Sequence, residues 1–140
     1  MSILAIDYGG SHLGLAFSPD GRVSYQLSSA SGGPVISYRS EREVFDRLEK
    51  ICREKNIDKI VIGLPLDQNG NLSPQAEKAK KFGEKLARWS GLRVSYWNET
   101  LTSTEAKKSM IAAGVPKEKR KKLEHSFAAQ IVLQEFLDAK

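Results

Sequence analysis

Cysteine is almost missing from this chain. Cys52 stands alone, so no disulfide can close within it, and a reducing compartment suits a lone thiol. Its place on the apolar stripe of an expected helix points to a packed core residue ahead of a nucleophile. No apolar stretch approaches the roughly 20 residues of a membrane-spanning helix, so a membrane partner is not expected. The N-terminus, Met1-Ser2-Ile3-Leu4-Ala5-Ile6-Asp7, has no basic segment and meets an acid at once, so it reads as a strand and not as a signal peptide. Internal repeats, long linkers and low-complexity tracts are absent, and so is any aromatic stacking motif of a known RNA-binding module.

What is present fits one domain spanning residues 1–140. A chain of that length buries roughly two-thirds of its unfolded surface, so it needs neither disulfide nor structural metal. Hydrophobic residues make up 40% and charged residues 28%, with a net charge of +5 and a pI of about 9.4. A basic excess favours polyanionic partners through steering and counterion release. Five of the cations, Lys117, Lys119, Arg120, Lys121 and Lys122, form one run broken only by Glu118. Such a run is either a phosphate-binding patch or the solvated start of a helix.

The first half reads as strands. Ile3–Asp7 and Leu13–Phe17 are apolar runs separated by Gly9-Gly10, and Pro19-Asp20-Gly21 is turn chemistry before an alternating stretch at Arg22–Leu27. Ser28–Ser37 reads as a loop. Ser40 with Glu43 has capping-box spacing ahead of a helical pattern through Cys52. Lys59–Leu64 is a buried strand closed by Pro65, and Ser73-Pro74 opens a helix that Gly91 ends. Leu92–Trp97 is a further strand, Thr102 with Glu105 repeats the capping spacing, and a last helix begins near Lys117. A three-stranded antiparallel meander plus two parallel strands gives a mixed five-stranded α/β sheet flanked by helices. An RNase H-like fold has this layout, as do other small α/β folds.

Three strand ends should then meet at one sheet edge: Asp7, Gly63-Leu64-Pro65 and Asn98-Glu99. Open α/β sheets place ligands at that edge. Two carboxylates converging there repel unless a cation or proton lies between them. Mg²⁺ or Mn²⁺ held by Asp7 and Glu99 would relieve that repulsion and activate water for phosphodiester hydrolysis. Taken singly, Asp7 could be a turn aspartate and Glu99 a solvated acid before a helix. Gly9, Gly10 and Gly14 do not make a dinucleotide loop, because a strand follows instead of a helix. Gly9 and Gly10 would instead leave backbone beside a bound phosphate. On the last helix His125 aligns with Ala129, Val132 and Phe136, so it points at the sheet. There it is either a core histidine or a group that ligates metal or moves protons beside the carboxylates.

The segments Asp7-Tyr8-Gly9-Gly10-Ser11-His12-Leu13-Gly14-Leu15-Ala16, Val61-Ile62-Gly63-Leu64-Pro65-Leu66, Ser73-Pro74-Gln75-Ala76, Asn98-Glu99-Thr100-Leu101-Thr102-Ser103 and Ala128-Ala129-Gln130-Ile131-Val132-Leu133-Gln134 resemble, in order, those of the YqgF/RuvX family. The resemblance covers nearly the whole chain. It implies an RNase H-like fold related to RuvC-type Holliday-junction resolvases and a cytoplasmic nuclease that trims the 5′ end of pre-16S rRNA in ribosome biogenesis. It also implies catalytic roles for Asp7, Glu99 and His125. Asp7 and Glu99 match the family's first two acids. Its third acid is an aspartate on the final helix, where this chain has His125. The acidic loop, Asp-Glu-Arg in the family, reads Asn98-Glu99-Thr100, and Ser11-His12 replaces a basic pair. Fewer carboxylates hold a metal less tightly. The alternatives are therefore a branched-DNA resolvase and a nucleic-acid-binding protein of the same fold that has lost turnover. Either way the partner is nucleic acid, pre-rRNA ahead of branched DNA, and the protein is a monomer or weak homodimer.

Overall fold

The computed structural model describes residues 1–9, 11–27, 34–37, 39–66, 69–99 and 102–139, without the side chains of residues 102–104 and 122. Its elements run β1 (Ile3–Gly9), β2 (His12–Ser18), β3 (Tyr25–Gln26), β4 (Val35–Ser37), α1 (Glu41–Glu54), β5 (Lys59–Leu64), α2 (Pro74–Ser90), β6 (Arg93–Asn98), α3 (Thr102–Ala112) and α4 (Lys117–Asp138). The sheet order is β3-β2-β1-β5-β6, with β4 also on β2. β1 pairs antiparallel with β2 and parallel with β5, and β5 pairs parallel with β6.

The sheet has six strands, not five. The expected third strand, Arg22–Leu27, is reduced to β3, and β4 is an added strand on the same edge of β2. β3 pairs with Ala16 and Phe17, and β4 pairs with His12, Leu13 and Gly14. β4 falls within the stretch expected to be a loop. Ile36, buried against the core, anchors it there.

Alternation along β1 divides the core in two. Leu4 and Ile6 face α1 and α2 and pack with Val44, Leu48, Phe82 and Leu86. Ile3 and Ala5 take the other face and pack with Ala129, Val132, Leu133 and Leu137 of α4. Each of those larger aliphatic side chains gains roughly 1.5–3 kcal/mol from burial. The helix boundaries follow local chemistry. The Ser40 hydroxyl accepts from the Glu43 amide at 3.2 Å, and the Glu43 carboxylate reaches back to the Arg39 amide at 3.3 Å. Ser73 caps α2 by accepting from the Ala76 amide at 3.1 Å, with Pro74 at the first helical position. Gly91, at φ 73°, ends it in the left-handed conformation. The expected cap at Thr102 falls on a side chain outside the described ones. Cys52 packs against the core, and burial pushes its thiol up to about 11, as suits an inert residue.

Candidate active site

Asp7 has the same parity on β1 as Ile3 and Ala5, so its carboxylate points towards α4. Its register partner on β5 is Gly63. The Glu99 amide donates to the Leu64 carbonyl at 3.0 Å, extending the β5–β6 pairing by one residue. The Glu99 side chain then folds back over β5. A Cβ on Gly63 would lie 2.5 Å from Glu99 Oε2, so the missing methyl is the space the carboxylate uses. From there the Glu99 carboxyl reaches that of Asp7. Burial, then the Asp7 charge and a hydrogen bond between the two acids, push Glu99 up to about 10. Glu99 Oε2 is buried with no hydrogen-bond partner among the described residues.

His125 completes the cluster. Its Nδ1 lies 2.5 Å from Asp7 Oδ2, with the histidine side chain 36% exposed and the aspartate 9%. That hydrogen bond raises the histidine pKa, against the opposing effect of burial. The ring fits because Gly9 has no side chain: a Cβ there would lie 2.5 Å from His125 Cε1. The helix itself fits because Gly14 has none, since a Cβ there would overlap the His125 carbonyl. His125 thus borders the core on one side and opens into a cavity on the other.

That cavity, about 250 Å³, is lined by Asp7, Glu99, Glu124 and His125 together with Tyr8, Ser73 and Gln75. Among the described residues no three of His, Cys, Asp and Glu form a metal-binding cluster. Two carboxylates with one buried, unpartnered oxygen nevertheless fit a hard cation that keeps waters and takes phosphate as a further ligand.

The structure therefore brings Asp7, Glu99 and His125 together. A Cβ on Gly9 would meet the His125 ring, and Gly10 lies outside the described residues. Lys117, Arg120 and Lys121 line a cavity between α3 and α4, whereas Lys119, although exposed, is not among its lining residues. The Lys122 side chain lies outside the description. Sequence reasoning missed Glu124, Ser73 and Gln75 as site residues. The signal for the last two was present, since Gly63-Leu64-Pro65 ends a strand at this same edge and Ser73 returns to it by donating to the Pro65 carbonyl at 2.7 Å. Gln75 is held there by its Nε2, which donates to the Tyr8 carbonyl at 3.2 Å.

Comparison with solved structures defines the class. The fold is similar to that of Thermus thermophilus RuvC in complex with Holliday junction substrate. The TM-score is 0.62 at 15% identity, covering 99% of this chain and 94% of that one. A second Thermus thermophilus RuvC structure gives 0.59 at 16% identity, with 99% and 95% covered. The chain is thus an α/β protein with a RuvC-like, RNase H-like fold. A family model described as "RuvX: Holliday junction resolvase" matches residues 1–139. Relatives named "Putative pre-16S rRNA nuclease" occur in Agathobacter rectalis (37% identical over 141 residues, 99% of this chain and 95% of the relative) and in Bacillus cytotoxicus (35% identical over 142 residues, all of both). The chain belongs to the RuvX family.

Proposed function

We propose that this chain is a metal-dependent endonuclease that hydrolyses phosphodiesters of structured nucleic acid, with the 5′ end of pre-16S rRNA as its substrate in the cytoplasm. One observation carries the reading: the Asp7 and Glu99 carboxyls are pressed together at the carboxyl edge of β1, β5 and β6, with a buried oxygen of Glu99 unpartnered. Asp7 and Glu99 would hold a Mg²⁺ or Mn²⁺ ion. When bound, such an ion supplies an activated water and stabilises developing negative charge on the phosphate. The protein's own groups do the rest. His125 fixes the Asp7 carboxylate through its Nδ1 and keeps a proton to higher pH than a free imidazole, beside the cavity a phosphate would enter. It stands where the family has its third acid. Ser73 and Gln75 line the same cavity. The unit acts as one domain, monomeric or weakly dimeric.

The test is cleavage of pre-16S leader RNA, duplex RNA and a four-way DNA junction in Mg²⁺ and in Mn²⁺, with Asp7→Asn as control. The leader should be cut, and the variant should lose at least about a hundredfold in rate. Preference for the junction would make the chain a resolvase. A second reading, a nucleic-acid-binding protein without turnover, is favoured by the histidine already seated on Asp7 Oδ2. Binding without cleavage in either metal would establish it.

A further inference from the structure

A second cavity lies away from the carboxylates, between α3 and the first turns of α4, where the two helices pack. Its volume is about 430 Å³, within the roughly 300–1,000 Å³ of small-ligand pockets. Met110, itself buried, closes its floor, and Ile111, 57% exposed, forms an apolar wall. Lys107, Lys117, Arg120 and Lys121 surround that apolar centre, with Glu124 the one acid among them. The Arg120 Nε donates to the Val115 carbonyl at 3.2 Å, which anchors its guanidinium at the cavity. A flat apolar body carrying anionic groups is the chemistry that such a lining complements. A nucleobase flanked by its phosphates has that form, and bases stack on guanidinium planes.

The cavity and the carboxylate site share Glu124 in their linings. A third hollow, lined by His12, Glu118, Lys121, Glu124 and His125, shares Lys121 and Glu124 with the α3–α4 cavity. It shares Glu124 and His125 with the site. From Lys117 to His125 along α4 is roughly 12 Å, which three to four stacked nucleotides at about 3.4 Å each would span.

We propose that the α3–α4 cavity binds an unpaired base of the substrate strand, so that the protein engages a single-stranded segment a few nucleotides from the phosphate it attacks. The inference rests on the nuclease reading for its orientation but predicts a binding preference that needs no turnover. Ile111 is the residue to test, because its exposure lets it change without disturbing the core.

Binding of a fluorescein-labelled oligoadenylate and of a duplex RNA of equal length, measured in EDTA, reads the preference. Ile111→Ser should weaken single-strand binding about tenfold and leave duplex binding unchanged, whereas Ile111→Trp should strengthen single-strand binding. Lys107→Ala should weaken the single strand and flatten its salt dependence by about one phosphate contact. If both Ile111 variants bind single strands and duplex as the wild type does, the cavity takes no base and the proposal is overturned, even if the protein cleaves RNA. If they behave as expected but no metal supports cleavage, the base site stands and the nuclease reading falls. Absence of binding to either probe overturns the base site, while cleavage in Mg²⁺ or Mn²⁺ decides the nuclease reading separately.

Discussion

Glu99 is driven to hold a proton by burial and then by Asp7, His125 by its hydrogen bond to Asp7, and both effects have the same sign. The folded pKa of Glu99, about 10, lies far above its ordinary 4.5. Between those values the folded metal-free protein binds a proton that the unfolded chain has released, so stability falls as pH rises. His125 is also raised, by Asp7, so its contribution is fully present below its ordinary 6.5 and is lost as pH passes its folded value. The melting temperature of the metal-free protein should therefore drop as pH rises from 5 to 9, and Glu99→Gln should flatten most of that slope. Melting curves across that range check it, and a wild-type protein that gains stability with pH would refute the assigned protonation. His125→Asp probes the same cluster from the opposite direction. A third carboxylate beside Asp7 and Glu99 should lower the metal-free melting temperature and enlarge the rise produced by Mg²⁺. A fall with no change in Mg²⁺ response would make His125 a packing residue.

At the scale of elements, α4 decides where the site lies, and it can approach the sheet only over small residues. Gly14 on β2 meets its backbone, and Ala129 lies in the interface. Gly14→Ala places a methyl into a helix carbonyl that cannot rotate away. It should cost roughly 3 kcal/mol, the upper end of ordinary overpacking, measurable by urea unfolding, with Mg²⁺ affinity falling because His125 and Asp7 separate. The orientation of α4 was legible beforehand, since His125, Ala129, Val132 and Phe136 share one stripe at helical spacing and α4 is long enough to average out exceptions. The β2 edge was legible only in part. β3 falls within the strand expected at Arg22–Leu27 but is two residues long, whereas β4 carries its signal in Val35 and Ile36 alone, after a Gly-rich stretch. Pairing with β2, a tertiary effect, makes them strands.

Over the whole molecule the net charge of +5 matters through its placement. The run near residue 120 read as one patch in sequence, but helix geometry separates it. Lys117, Arg120 and Lys121 line the α3–α4 cavity, and Lys119 does not. Replacing those three by Ala should reduce the slope of log K against log salt for RNA by roughly 2–3, and Lys119→Ala alone should change it little. Equal effects from all four would make the run a diffuse phosphate-binding face, and an unchanged slope in the triple variant would assign it to solubility. The convergence of Asp7 and Glu99 was legible because parallel strands bring their carboxyl ends to one edge. That Glu99 would fold over Gly63, and that Glu124 would border all three hollows, depends on side-chain packing that strand order does not specify. The central claim is that Asp7 and Glu99 together hold one divalent cation. Mn²⁺ titration followed by electron paramagnetic resonance tests it most directly, on the wild type and on Asp7→Asn confirmed as folded by circular dichroism. One Mn²⁺ per chain, lost in the variant and displaced by Mg²⁺, is the predicted result. Equal Mn²⁺ binding by the two proteins, or none by either, would contradict it.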